Sequence, residues 1–422
     1  MRFKNLLLAS VLGLSVATPA AADTVCEWMD FARKALPQGQ GQSSSQLTIV
    51  RDGKGDHNET KVALAMFEAL NAIDHRYRSY VGIPVGAADA NQPVAAITAV
   101  SEVLYALAPA NKTAVQESYD LALAGVAEGP AKAKAVAIGK QAAAAVLAIP
   151  DIDPKVTQVG YRPVATPGQW VSTVLPATGP YMVAYRPWIL KSASEVRPAA
   201  PPALTSERYA RDLNEVKRLG MMASKDRSAT ETLMARYRIN SDEMPALREM
   251  FDQAGRRLVD NARVFALYDM IGDDAGMAMA DGKLHYNFWR PITAIRNADK
   301  DDNPATEADP NWLPLINTPG HPEYPCGHCV GAGAVAELMT AVDSKQPAWG
   351  VRIASSSLGT SAVQVTPDWD EWARQVSYSR TLGGVHYRFS NEAGDAMGRK
   401  VAKLGLERAL QPLPAAEVRP AS

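Results

Sequence analysis

Residues 61–75 read KVALAMFEALNAIDH, and this stretch decides how the chain folds. Val62, Met66 and Leu70 recur every four residues with alanines between them, which gives a helix one apolar face. The same period recurs on both sides. Before it, Cys26–Lys34 reads as a short helix. After it come Asn91–Ala106, Asn111–Val126 and Ala131–Ala148, the last an alanine-rich run. Alanine loses little side-chain freedom on entering a helix, so such a run helps helices form. Helical patterns resume at Ser206–Leu219, Ser228–Tyr237, Pro245–Met279, Cys329–Val342 and Ser390–Leu410, with a shorter one at Trp369–Val376. Strand-like alternation is scarce, so the chain is predicted to be all-α, a helical bundle with long connections.

Residues 150–202 break the pattern. They hold ten prolines together with Trp170 and Trp188. Proline stops helices, and the aromatic rings need burial, so this segment is expected to be an ordered excursion and not a loose linker. The organisation that follows is an N-terminal helical region over 23–149, the Pro-rich excursion over 150–202 and a C-terminal helical region over 203–422. The two helical regions are expected to share one core.

The first 22 residues stand apart. Arg2 and Lys4 precede an apolar run from Leu6 to Val16, and Ala20, Ala21 and Ala22 close it. This is the pattern of a Sec-type signal peptide cut after Ala22, so a periplasmic or secreted protein is expected. The apolar run is shorter than the roughly 20 residues a membrane-spanning helix requires, and no later stretch reads as a span. The formal charge is −1, and removing Arg2 and Lys4 makes it −3. Without a basic block, nucleic acid is not an expected partner. Three cysteines do not make a disulfide scaffold, and an odd count leaves one thiol free unless it pairs between chains. Oligomeric state stays open, a dimer being one option.

Four of the six histidines fall between residues 285 and 386, a window with three segments suited to an anion. In the first, Lys283 and Arg290 stand seven apart, two turns of one helix if the helix continues to Pro291. In the second, Gly320-His-Pro-Glu-Tyr-Pro-Cys-Gly-His-Cys-Val-Gly331 precedes an apolar, small-residue helix, whose N-terminus favours negative charge. His328 sits where it can exchange a proton with a bound group. In the third, Ser379-Arg380 is followed by Gly383-Gly384 and His386, and the glycines permit a turn that brings His386 back toward Arg380. Three cations, two histidines and a glycine-rich helix start suit a doubly or triply charged tetrahedral oxyanion.

These segments resemble the signature of the vanadium-dependent haloperoxidases and of the acid phosphatases of the type-2 phosphatidic acid phosphatase superfamily. The matching residues are Lys283, Arg290-Pro291, Pro325-Cys326-Gly327-His328, Ser379-Arg380 and His386. The stretches from Ala63 to His75, from Pro202 to Val216 and from His321 to Pro325 resemble the bacterial haloperoxidase-related branch. The resemblance implies two four-helix-bundle-like halves fused around one core. It implies vanadate as cofactor, with phosphate able to take the same site. Lys283, Arg290, Cys326, Gly327 and Arg380 would hold the oxyanion, His386 would ligate vanadium, and His328 would act as acid–base. The small-molecule partners would be hydrogen peroxide and halide. In the phosphatase alternative His386 forms a phosphohistidine from a phosphomonoester. A third reading is a binding protein for phosphate or vanadate without turnover. His321 falls where family members flank the halide.

Two positions depart from the signature. Cys326 stands where serine is usual; as a free thiol it would donate weakly, and as a thiolate it would repel the anion and attract oxidation. On that reading serine at 326 is expected to raise activity. Cys326 and Cys329 also have the spacing of a redox pair at a helix N-terminus, and with nearby histidines they offer a fainter zinc alternative. Ser390, four after His386, stands where an aspartate would orient the histidine. Glu392 is the candidate substitute.

Overall fold

In the computed structural model the described residues are 23–37, 57–151, 162–173, 185–253, 255–342, 350–357 and 362–421. The signal-peptide reading over 1–22 and parts of the Pro-rich excursion lie outside them. Five helices precede the excursion: α1 (Thr24–Ala35), α2 (Asn58–Ile73), α3 (Gln92–Leu107), α4 (Lys112–Leu123) and α5 (Pro130–Leu147). Eight follow it: α6 (Glu207–Leu219), α7 (Ala229–Tyr237), α8 (Met244–Phe251), α9 (Leu258–Tyr286), α10 (Pro291–Arg296), α11 (Gly327–Val342), α12 (Trp369–Leu382) and α13 (Arg388–Arg408). Starts are set by local chemistry. Asp23, Asn91, Ser206 and Asp368 each accept a backbone N–H of the first turn they cap, and Ser228 and Glu231 form a reciprocal capping box.

One large apolar core runs from Val25 to Leu410 and takes residues from both sides of the excursion. The 29-residue helix α9 joins them, packing against α2 on one side and against α11 and α13 on the other. The 61–75 stretch explains the burial: all but two residues of α2 are buried, so it is a core helix and not an amphipathic surface one. The excursion is fastened to this core. Asp274 on α9 accepts the backbone N–H groups of Trp188, Ile189 and Leu190 at 2.7–2.8 Å. Burial pushes its carboxyl up to about 6, against the pull of those three donors.

The helical reading differs from the structure in several places, among them the short helix α10 and the run of α9 on to Tyr286. The pattern over 245–279 divides into α8 and α9, because Gly255 takes a left-handed φ of 87° between them. The helix read at 369–376 runs on to Leu382 and so carries Arg380. A small antiparallel sheet joins the helices: β1 (Ser241–Asp242), β2 (Val351–Ser355) and β3 (Ala362–Thr366) in that order. In β2, Val351, Ile353 and Ser355 face inward, and the Tyr237 hydroxyl donates to the Ile353 carbonyl at 2.6 Å.

Helices α11 and α13 cross with backbone nearly touching backbone. A Cβ on Gly398 would overlap the Val330 carbonyl oxygen, one on Gly333 would overlap that of Asp395, and one on Gly394 would come 2.5 Å from that of Cys326. Overpacking of this kind forces backbone shifts. Gly398→Ala is therefore expected to cost about 3 kcal/mol, seen as a lower midpoint in urea unfolding. An unchanged midpoint would mean the crossing has slack. Among the described residues no single helix is long and apolar enough to cross a membrane.

Candidate functional site

Lys283 lies in the last turn of α9, but Arg290 does not continue that helix. Asn287 takes a left-handed conformation (φ 43°) and caps α9, and Pro291 opens α10. The expectation of two cations on one helical face is thus corrected. They meet because both reach the loop of residues 320–326. Lys283 Nζ donates to the carbonyl oxygens of Pro322, Glu323 and Pro325 at 3.0, 2.8 and 2.6 Å. Arg290 Nε donates to the His321 carbonyl at 2.9 Å. The excursion helps to place it: Trp170 N–H donates to the Asn287 carbonyl at 2.7 Å and Trp289 N–H to that of Gly168 at 3.0 Å, a strand-like bridge just before Arg290.

The Gly383–Gly384 turn, with Gly384 at φ 78°, returns the chain from α12 to His386. Arg290 Nη1 lies 2.8 Å from the Val385 carbonyl and 3.0 Å from His386 Nε2, and Nη2 lies 2.9 Å from His321 Nδ1. On its other side His386 Nδ1 is 2.7 Å from Glu323 Oε1. A guanidinium only donates and an ionised carboxylate only accepts. The pair therefore assigns the proton to Nδ1 and leaves the Nε2 lone pair facing Arg290.

Arg380, in the last turn of α12, is 2% exposed, and its Nε and Nη1 have no hydrogen-bond partner among the described residues. Orphaned guanidinium donors in a buried position call for an acceptor. Burial, then the neighbouring Arg290, draws Arg380 down to about 9, and burial draws Arg290 down to about 10. Lys283 is held well below the ordinary lysine range by burial and by Arg290. His386 is pushed well below the usual histidine range by burial, then by Arg290, Lys283 and Arg380. His328, on the first turn of α11, is lowered by burial and then by Arg380. These mutual effects place the three cations and two histidines in one field. His328 Nε2 lies 3.0 Å from the Ile239 carbonyl, which leaves Nδ1 as its basic nitrogen. His321 is partly exposed and sits on the rim, its Nδ1 also 3.1 Å from the Pro322 carbonyl.

Gly327 opens α11 against Met279 and Lys283 of α9, where a Cβ would come 2.5 Å from the Met279 sulfur. Cys326 is not the free thiol expected. It is disulfide-bonded to Cys329, and both are fully buried. Without an S–H it donates nothing to an anion, and it has no thiolate to repel one. The expected gain from serine at 326 loses its basis. Burial also shuts the pair off from thiol exchange with another protein. Native protein treated with a mild thiol reductant and iodoacetamide is expected to stay unlabelled at both cysteines by mass spectrometry, with labelling only after unfolding. Labelling of the folded protein would show that the loop opens. The remaining cysteine, Cys26, is free and buried in α1, as the odd count implies.

Glu392 is corrected as well. It points outward and pairs with Arg208 at 2.7 Å. The carboxylate on His386 is Glu323, which sequence spacing did not single out. Glu323 is fully buried, and burial raises its carboxyl to about 7 against the opposing pull of Arg290 and Lys283. Ser390 is also buried, and its hydroxyl favours the charged form of Glu323 without a well-formed hydrogen bond. Among the described residues no group of three or more His, Cys, Asp or Glu could cage a metal cation. The chemistry offered is that of a cradle for an anion.

Residues 263–413 match the model of the VCPO second helical-bundle domain. A 90-residue stretch is 38% identical to vanadium chloroperoxidase of Curvularia inaequalis, covering 19% of this chain and 14% of that protein's length. A bacterial vanadium-dependent iodoperoxidase has a similar fold, with a TM-score of 0.66 at 20% identity over 93% of this chain and 98% of that one. A bacterial vanadium-dependent chloroperoxidase gives 0.65 at 18% identity over 89% of this chain and 96% of that one.

Proposed function

We propose, on the premise that residues 263–413 form a second helical bundle of the vanadium chloroperoxidase type, that this chain is a vanadate-dependent haloperoxidase-like enzyme oxidising halide with hydrogen peroxide. The observation that carries the reading is Arg380, buried with two guanidinium nitrogens that have no partner among the described residues, in the field of Arg290 and His386. These residues fit an oxyanion such as vanadate. Arg380 would hold it directly, Lys283 and Arg290 would add charge, and His386 Nε2 would be the ligating atom. With Glu323 ionised, three cations and one carboxylate leave a net charge of +2, which suits a dianion. Bound vanadate supplies an electrophilic centre that activates peroxide toward halide. His328, neutral and with Nδ1 unengaged, would take a proton from the incoming peroxide and return it later. Arg290 would release His386 Nε2 when the oxyanion enters, keeping its hold on the His321 and Val385 carbonyls. The partly exposed His321 and His328 would line the approach for small substrates.

The test is direct. Metal-free protein is reconstituted with orthovanadate and assayed for iodide and bromide oxidation by peroxide, and in parallel without vanadate on p-nitrophenyl phosphate. Halide oxidation suppressed by phosphate is the expected result. Phosphoester hydrolysis inhibited by vanadate would replace this reading with a phosphatase, and tight oxyanion binding with neither activity would replace it with a binding protein. We further propose a periplasmic or secreted location, a reading supported by the signal-peptide pattern and by a buried disulfide, which suits an oxidising compartment.

A further inference from the structure

We infer that Glu323, brought in from the loop before α11, is the positioning residue that fixes the tautomer and ring orientation of His386, in place of a carboxylate on the helix that follows the histidine. The inference rests on the proposed oxyanion site. The residue four after His386 is Ser390, which carries no charge, and Glu392 faces outward to Arg208. Glu323 lies 63 residues upstream of His386, yet its Oε1 sits 2.7 Å from His386 Nδ1 and also accepts the Tyr387 backbone N–H at 3.1 Å. One oxygen thus grips both the ring and the backbone beside it.

Glu323 is itself held. Its N–H donates to the Phe288 carbonyl at 2.9 Å, and its own carbonyl accepts Lys283 Nζ at 2.8 Å. Glu323 therefore joins two segments, the Lys283 helix and the Phe288–Arg290 turn through its backbone, to the His386 turn through its carboxylate. With Nδ1 committed to Glu323, only Nε2 remains to meet an oxyanion. Were the proton on Nε2 instead, no lone pair would face the cations. Ser390 lies beside Glu323, fully buried, so an aspartate there would put a carboxylate close to the same place.

Three variants test this: Glu323→Gln, Glu323→Ala and the double variant Glu323→Ala with Ser390→Asp. The first readout needs no turnover. In protein labelled with 15N-histidine, NMR reports which ring nitrogen of His386 carries the proton. Wild type and Glu323→Gln are expected to hold it on Nδ1, since a glutamine oxygen still accepts, whereas Glu323→Ala keeps only the Arg290 contact at Nε2 and is expected to hold a measurably smaller Nδ1-protonated fraction. The second readout is orthovanadate affinity by calorimetry. Outer partners of a ligating histidine are typically worth 10–100-fold in affinity. We expect roughly a 10-fold loss for Glu323→Gln, nearer 100-fold for Glu323→Ala, and recovery to within a few-fold in the double variant. A buried residue with a merely structural role would lower the melting temperature without moving the proton. An Nδ1-protonated fraction equal to wild type in folded Glu323→Ala, or a folded double variant with no recovery in tautomer or affinity, overturns the inference. If wild type binds no vanadate, the haloperoxidase reading fails on its own, while the tautomer measurement still decides the role of Glu323.

Discussion

Replacing Arg380 with methionine is expected to weaken orthovanadate binding by about 100-fold while making the vanadate-free protein more stable. Both effects have one cause. The guanidinium is 2% exposed, and two of its nitrogens have no partner among the described residues. Hydrogen bonds to a charged group contribute about 1.5–3 kcal/mol each, so losing the donors that meet an anion removes roughly 3 kcal/mol of binding. In the empty protein the same group is a buried charge without compensation, which methionine of similar length replaces with ordinary packing. A gain of about 1 kcal/mol would raise the melting temperature by roughly 2 °C. Calorimetry with orthovanadate and thermal unfolding without it measure the two quantities. Unchanged affinity would remove Arg380 from the site, and a lower melting temperature would show that its charge is already satisfied.

His386→Ala should eliminate turnover. We expect halide oxidation by the vanadate-loaded protein to fall by roughly 1,000-fold or more, and p-nitrophenyl phosphate hydrolysis, if wild type has it, to fall with it. His386 Nε2 is the nitrogen left open by the Glu323 contact, and it lies 3.0 Å from Arg290. Oxyanion binding should survive in weakened form, because Lys283, Arg290 and Arg380 are unaltered. The distinguishing result is a lost rate with residual phosphate binding. A variant that still oxidised iodide at the wild-type rate would show that His386 is not the residue that would hold the vanadate.

Some of this was readable in the chain and some was not, for physical reasons. The helices before the excursion declare themselves through local periodicity, and their boundaries fall within a few residues of those read. The anion-binding segments also declare themselves, since cation, glycine and histidine recur at short, regular spacings. What failed were inferences that needed backbone angles or distant contacts. Lys283 and Arg290 look like one helical face until Asn287 takes a left-handed turn. Gly255 divides one apparent helix into two. Glu323 was passed over because its contact with His386 spans 63 residues, and no local rule favours it over Ser390 or Glu392. The free-thiol reading of Cys326 failed because spacing permits a bond to Cys329 without requiring one. The sheet was hidden by brevity: β2 and β3 have five residues each, too few for alternation to stand out.

The crossing of α11 and α13 bears on how the spacing of this site can change. His328 rides on the second residue of α11, and His386 stands two residues ahead of α13. Where backbone abuts backbone, neither helix can slide inward or be shimmed apart by trimming side chains, because there are none to trim. A bulkier guest must therefore be accommodated at the rim by His321, and efforts to widen the substrate range belong on the loop of residues 320–326 and not on the crossing helices.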